Sequence, residues 1–175
     1  LPKLLARLVL MGGTYGLTPY GKGNQTPFAE FNIWQDPEAA HIVLNSGASI
    51  FAVGLDVSTN PTTYLNSQHL EQLKAGCTPA ARLAAQLVEY VINHHGHCEM
   101  HDPLALALLL DASLFDFTSV PVEVVMGDGW DRGITRVLPS DGCQLSANSS
   151  QLIHVATSVE GPRFLKLFLS RILEG

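Results

Sequence analysis

Residues 23–40 read Gly-Asn-Gln-Thr-Pro-Phe-Ala-Glu-Phe-Asn-Ile-Trp-Gln-Asp-Pro-Glu-Ala-Ala. Asn24, Glu30 and Asn32 place two amides and a carboxylate among small and apolar neighbours, just before a helix start. Amides both donate and accept hydrogen bonds, and a carboxylate accepts from two hydroxyls, so the trio suits a polyol such as a ribose. Downstream, Met100-His101-Asp102-Pro103-Leu104-Ala105-Leu106-Ala107 sets an imidazole beside a carboxylate at a second helix start. Asp102 before Pro103 also has the form of a helix N-cap; a cap aspartate keeps one oxygen for a metal, so the two roles are compatible. A histidine standing alone is more often structural than catalytic, and His101 gains weight only from its company.

Two other segments invite a metal and carry it less well. His94-His95-Gly96-His97-Cys98-Glu99-Met100-His101 holds four imidazoles and a thiol, yet its spacing is not that of a zinc finger and no partner pair follows. Histidines late in a helix suit its negative C-terminal pole, and a polar helix end is the simpler reading. Asp128-Gly129-Trp130-Asp131 lacks the remaining positions of a calcium loop and reads as a hairpin turn.

Composition limits the function classes. The 175 residues suffice for a single domain, residues 1–175, with a sizeable core. Hydrophobic residues make up 46% and charged residues only 15%, which excludes a disordered chain or a coiled coil. A net charge of −6 without Lys/Arg clusters argues against a nucleic-acid partner. No apolar run is long enough for a membrane span, and the opening Leu1-Pro2-Lys3 does not begin a signal peptide. Cys77, Cys98 and Cys143 are odd in number and widely spaced, which fits reduced thiols in a cytoplasmic protein. The sequons at Asn24 and Asn148 mean little without a secretory signal.

The elements that must position these residues alternate. Residues 1–7 read as the tail of a helix or loop feeding a strand at Leu8–Met11, which Gly12-Gly13 ends. Residues 14–28, rich in Gly, Pro, Asn and Tyr, form a long functional loop. Asp36-Pro37-Glu38 opens a helix over 37–45, with Gly47 as its stop. Residues 50–57 are a buried strand and Ser67–Ala75 a helix closed by Gly76. Thr78-Pro79 opens a helix to about His94, with Leu83, Leu87, Val88, Val91 and Ile92 on one face. Asp102-Pro103 caps a helix over 104–110, residues 120–126 and 134–138 form a β-hairpin, Leu152–Val159 is a strand, and 162–173 is a closing helix. Strands alternating with helices predict an α/β fold, a mostly parallel Rossmann-like sheet flanked by helices with an antiparallel edge. In such sheets ligands sit in the loops leaving the strands' carboxyl ends, which is where Asn24, Glu30, Asn32, His101 and Asp102 fall.

From about residue 8 to 138, these two motifs in this order resemble the inosine-uridine preferring nucleoside hydrolases. The resemblance implies a reaction: hydrolysis of the N-glycosidic bond of purine or pyrimidine ribonucleosides to ribose and free base, by a water bound to Ca²⁺. It implies that Asn24, Glu30 and Asn32 hold the sugar hydroxyls and that Met11 lines the ribose pocket. It implies that Asp102 ligates the calcium and that His101 protonates the leaving base. His94, His95 or His97 would tune base specificity, with Trp130 and Arg132 on the base side. The family is often oligomeric, which implies a homo-oligomer. Its signature aspartate cluster, Asp-x-Asp-x-x-x-Asp-Asp, has no match here; Asp56, near a strand end, stands alone. Calcium takes roughly six to eight oxygen ligands. The expectation is therefore a C-terminal part of the family fold, truncated at the N-terminus, with a crippled site and an exposed sheet edge or apolar face near residues 8–11 and 50–57. The alternative is a non-catalytic nucleoside- or ribose-binding or scaffold domain.

Overall fold

The computed structural model describes residues 7–139 and 151–174. The expected tail over residues 1–6, Cys143 and the sequon at Asn148 lie outside the described residues. Strands β1 (Leu8–Met11), β2 (Ile50–Val53), β3 (Phe115–Val124), β4 (Thr135–Val137) and β5 (Leu152–Val159) form one sheet in the order β1-β2-β5-β3-β4. β1, β2 and β5 are parallel neighbours; β3 runs against both β5 and β4. All strands except β3 therefore point the same way, and the sheet is α/β and mostly parallel. Helices α1 (Phe31–Gln35), α2 (Pro37–Leu44), α3 (Leu55–Ser58), α4 (Ser67–Ala75), α5 (Pro79–His95), α6 (His101–Leu110) and α7 (Gly161–Glu174) flank it.

The β-branched and aliphatic residues of the sheet fill two cores. One packs Val53, Val57, Leu104, Leu108, Ala156 and Phe164 under α4 to α7. The other packs Ile50, Ala52, Val120, Val122, Ile153 and Val155 with Tyr15, Ile33 and Leu44. Burial of this kind is the main favourable term in folding.

Several local expectations change. The apolar run 50–57 is strand only to Val53. Gly54 then opens the single buried turn of α3, because Asp56 must swing inward to bind backbone of the loop after β1. β2 is accordingly internal, with Ile50, Ala52 and Val53 buried, and among the described residues β1 is the parallel edge strand. On α5 the face against the core is Ala81, Ala85 and Val88; Leu83 and Leu87 point outward. Small residues let α5 sit close to α4 and α7, which moves the larger leucines of the same helix to the outside. β3 starts five residues earlier than the hairpin reading, since residues 115–119 pair with β5 as well.

Candidate active site

The loop after β1 is built by two buried carboxylates. Glu30, 2% exposed, is the N-cap of α1: its Oε1 accepts the Asn32 N–H at 2.8 Å and its Oε2 the Ile33 N–H at 3.0 Å. Oε2 also accepts the Gly13 N–H at 2.9 Å, tying α1 to the end of β1. Asp56, 1% exposed, accepts the N–H groups of Tyr15 (2.7 Å), Leu17 (2.7 Å) and Thr18 (3.3 Å). Charge-assisted bonds of this kind offset the cost of burying a carboxylate. Burial, then the charges of Asp56 and Glu30, raise the Tyr15 phenol far above its ordinary pKa, so it stays neutral.

Between these anchors the chain doubles back. Gly13 adopts a left-handed φ of 83°, and a Cβ there would collide with the Tyr15 ring. Gly23 has no room for a Cβ against the Thr26 carbonyl. Asn24 Oδ1 accepts the Phe31 N–H at 2.9 Å, so its amide nitrogen is the end left for a ligand. Asn32 is exposed, and its Nδ2 rests 3.3 Å from the Met11 Sδ, a weak acceptor that a hydroxyl can displace.

These side chains meet the second motif in one place. Met11, Asn24, Glu30, Phe31, Asn32, Glu99, His101, Asp102 and Pro103 line a cavity of about 380 Å³. All six residues singled out from the sequence are among them, drawn from β1, the following loop, α1 and the start of α6. Asp102 is not the cap of α6. The helix begins at His101 with Met100 at the N-cap and no side-chain cap bond, which leaves the Asp102 carboxylate exposed in the first turn, where a helix N-terminus favours negative charge.

His101 is held at both ring nitrogens: Nδ1 lies 2.9 Å from Ser58 Oγ and Nε2 3.0 Å from Glu99 Oε2. The hydrogen bond from His101 holds the Glu99 carboxyl below the usual glutamate range, against its partial burial. Glu99 Oε1 lies 3.1 Å from the Tyr64 hydroxyl and 3.6 Å from His97 Nε2. Burial and then the Glu99 charge push the Tyr64 phenol up to about 12. Neither Ser58 nor Glu99 was singled out from the sequence. Glu99 carried a weak signal as the one acid inside the histidine run; Ser58 carried none, because the turn of α3 that aims it lay inside an apparent strand.

The histidine run does not assemble a metal site. Among the described residues no group of three or more His, Cys, Asp and Glu side chains could hold a metal ion. His94 Nδ1 instead meets the Tyr90 carbonyl, and His97 stacks on Tyr64 at 4.4 Å. An adjoining cavity of about 450 Å³ is lined by Val91, His95, His97, Cys98, Glu99 and His101, so Glu99 and His101 border both spaces. Trp130 and Arg132 border neither: Trp130 meets Phe28 edge-on, and Arg132 clamps Glu38 at 2.8 and 2.9 Å. The same fact limits calcium. One exposed carboxylate with two amides falls short of the roughly six to eight oxygens the ion takes, so the described residues do not by themselves fit it. Among the described residues no helix is long and apolar enough to cross a membrane.

Comparison with known proteins gives the family and the fold. The family model for inosine-uridine preferring nucleoside hydrolases matches residues 1–166. The pyrimidine-specific ribonucleoside hydrolase RihA of Salmonella arizonae is 36% identical over 140 residues, 76% of this chain and 43% of that protein. RihA of Escherichia coli O8 is 33% identical over 96% of this chain and 53% of its own length. Among solved structures, a purine-preferring ribonucleoside hydrolase from Gardnerella vaginalis superposes with a TM-score of 0.80 at 33% identity, covering 96% of this chain and 52% of that one. A plant nucleoside hydrolase, PpNRh1, superposes at 0.84 with 26% identity, covering 99% and 55%. The chain thus spans about half the length of the relatives it matches. With both motifs lining one cavity and the family model running through them, this chain belongs to the inosine-uridine preferring nucleoside hydrolase family.

Proposed function

We propose that this chain carries the sugar-holding and leaving-group side of a site that hydrolyses the N-glycosidic bond of ribonucleosides. The observation that supports it is the single cavity uniting Met11, Asn24, Glu30 and Asn32 with His101 and Asp102. In this reading the free amide ends of Asn24 and Asn32 take the ribose hydroxyls. Glu30 holds the pocket's floor and offers its remaining lone pair to a hydroxyl. Met11 packs against the sugar ring. The reaction breaks the C1′–N bond, whose electrons leave with the base; the oxygen of water bonds to C1′. Hydroxyl contacts that tighten as the sugar becomes oxocarbenium-like lower that barrier. In this reading His101, which borders both cavities, delivers a proton to the departing base. Asp102 is the exposed carboxylate of this cavity and would face a calcium ion held there, which would acidify and orient the attacking water.

A second reading, a ribonucleoside-binding module without turnover, is favoured by the lack of a metal-holding group among the described residues. A reducing-sugar assay of the 175-residue chain with inosine and uridine, with and without Ca²⁺, separates the two. The proposed reading expects ribose release above the protein-free rate yet far below the roughly 10 s⁻¹ typical of enzymes; release no faster than without protein leaves the binding module. Calcium-dependent turnover near that rate would place the full chemistry in this chain and defeat the second reading.

A further inference from the structure

The position of His101 depends on a residue with no place yet in the proposed chemistry. Loop residues after α3 and the segment before α6 are zipped together: Leu65 and Cys98 exchange both backbone bonds at 2.9 Å. That bridge sets Glu99 between Tyr64 and His101. Its Oε1 side faces Tyr64, whose ring stacks on His97 within 8° of parallel and whose single hydroxyl proton is shared between Oε1 at 3.1 Å and the Thr59 carbonyl at 2.6 Å. Its Oε2 is left for the imidazole. On the far side of the ring stands Ser58, fully buried.

We propose that Glu99 is a positioning residue for His101, fixing both the orientation of the imidazole and which of its nitrogens carries the proton. The inference rests on the reading of His101 as the group beside the departing base. A carboxylate can only accept, so the ring nitrogen facing Glu99 must be the protonated one, Nε2. Nδ1 of the neutral ring is then an acceptor, and the Ser58 hydroxyl, which rotates freely to suit, donates to it. Without Glu99 the two nitrogens would face one rotatable hydroxyl and open cavity, and neither tautomer would be specified. An acid that orients an imidazole is a recurring device, and loss of it leaves the wrong tautomer while the fold stays intact. Here Nδ1 faces the buried Ser58, so the proton held on Nε2 is the one available to the departing base. Glu99 and His101 border both cavities, which in the proposed reading take the sugar and the base.

The test reads the ring nitrogens directly. In the uniformly ¹⁵N-labelled 175-residue chain, long-range imidazole spectra at neutral pH give the two ¹⁵N shifts of His101, assigned by their loss in His101→Gln. The expected wild-type pattern is a wide split with Nε2 protonated. In Glu99→Ala the two shifts converge, and Glu99→Gln, whose amide can donate to Nε2 as well as accept from it, loses the Nε2-protonated preference while keeping its size and shape. A wild-type ring protonated at Nδ1, or a split unchanged in Glu99→Ala, overturns the proposal; the first holds even where the alanine variant does not fold. Uridine and ribose titrations of the same samples test the underlying reading separately. His101 signals that move with uridine but not with ribose support it. Signals unmoved by bound uridine remove His101 from the base side, whatever its tautomer.

Discussion

The Glu30 carboxylate and the Gly13 amide, seventeen residues apart, meet at 2.9 Å, so the residue that caps α1 also fixes the turn leaving β1. The pocket's floor and its sugar-facing helix are therefore one unit, and stability and ligand binding are linked through a single side chain.

Replacing it should show this. Glu30→Ala leaves the N–H groups of Gly13, Asn32 and Ile33 without an acceptor. Loss of a cap and a buried acceptor together should cost about 2–4 kcal/mol in denaturant unfolding. Glu30→Gln keeps one oxygen and should lose less. Equal stability for Glu30→Ala and wild type would mean the carboxylate only lines the cavity.

Glu99 makes acid stability diagnostic. Its folded pKa lies below the ordinary value of 4.5, chiefly through the His101 hydrogen bond. The unfolded chain therefore binds that proton more readily. The stabilisation is fully present above pH 4.5 and fades as pH falls through the lower folded value. Unfolding followed from pH 7 to pH 3 should show a shallower acid-side loss in Glu99→Gln than in wild type. Superimposable profiles would show that the pair contributes nothing to folding.

α6 is apolar on every side, and Leu106, Leu109 and Leu110 are each between 58% and 59% exposed beside the edge strand β1. A helix apolar all round is normally buried, and an open parallel edge is a template for pairing. The 175-residue chain should thus associate as its concentration rises in sedimentation runs, and Leu106→Glu with Leu110→Glu should shift it toward monomer. A wild-type chain monomeric at every concentration would contradict this.

What the sequence disclosed, and what it hid, has a physical pattern. Cap signatures, Gly stops and apolar runs marked β1, α2, α4, α5, β5 and α7, because they act within a few residues of themselves. Asn24, Glu30, Asn32, His101 and Asp102 were legible because unusual polar types stood in apolar surroundings. The turn at α3 was hidden because Asp56 is held by N–H groups some forty residues earlier, and a local pattern of Val and Leu cannot report that. The outward face of Leu83 and Leu87 was hidden for a related reason: periodicity names two apolar stripes on α5, and only packing against α4 and α7 chooses the alanine one. Ser58 and Glu99 became visible once those tertiary contacts placed them around His101.

The central claim, that this cavity holds a ribonucleoside by its sugar, is tested most directly by calorimetric titration of the chain with uridine and inosine. The account predicts saturable binding that Asn24→Ala and Asn32→Ala each weaken by about three- to tenfold, the value of one hydrogen bond to a hydroxyl, while Leu83→Ala, on the outer face of α5, leaves it unchanged. Binding unaffected by both asparagine substitutions, or no binding by a folded wild-type chain, would contradict it.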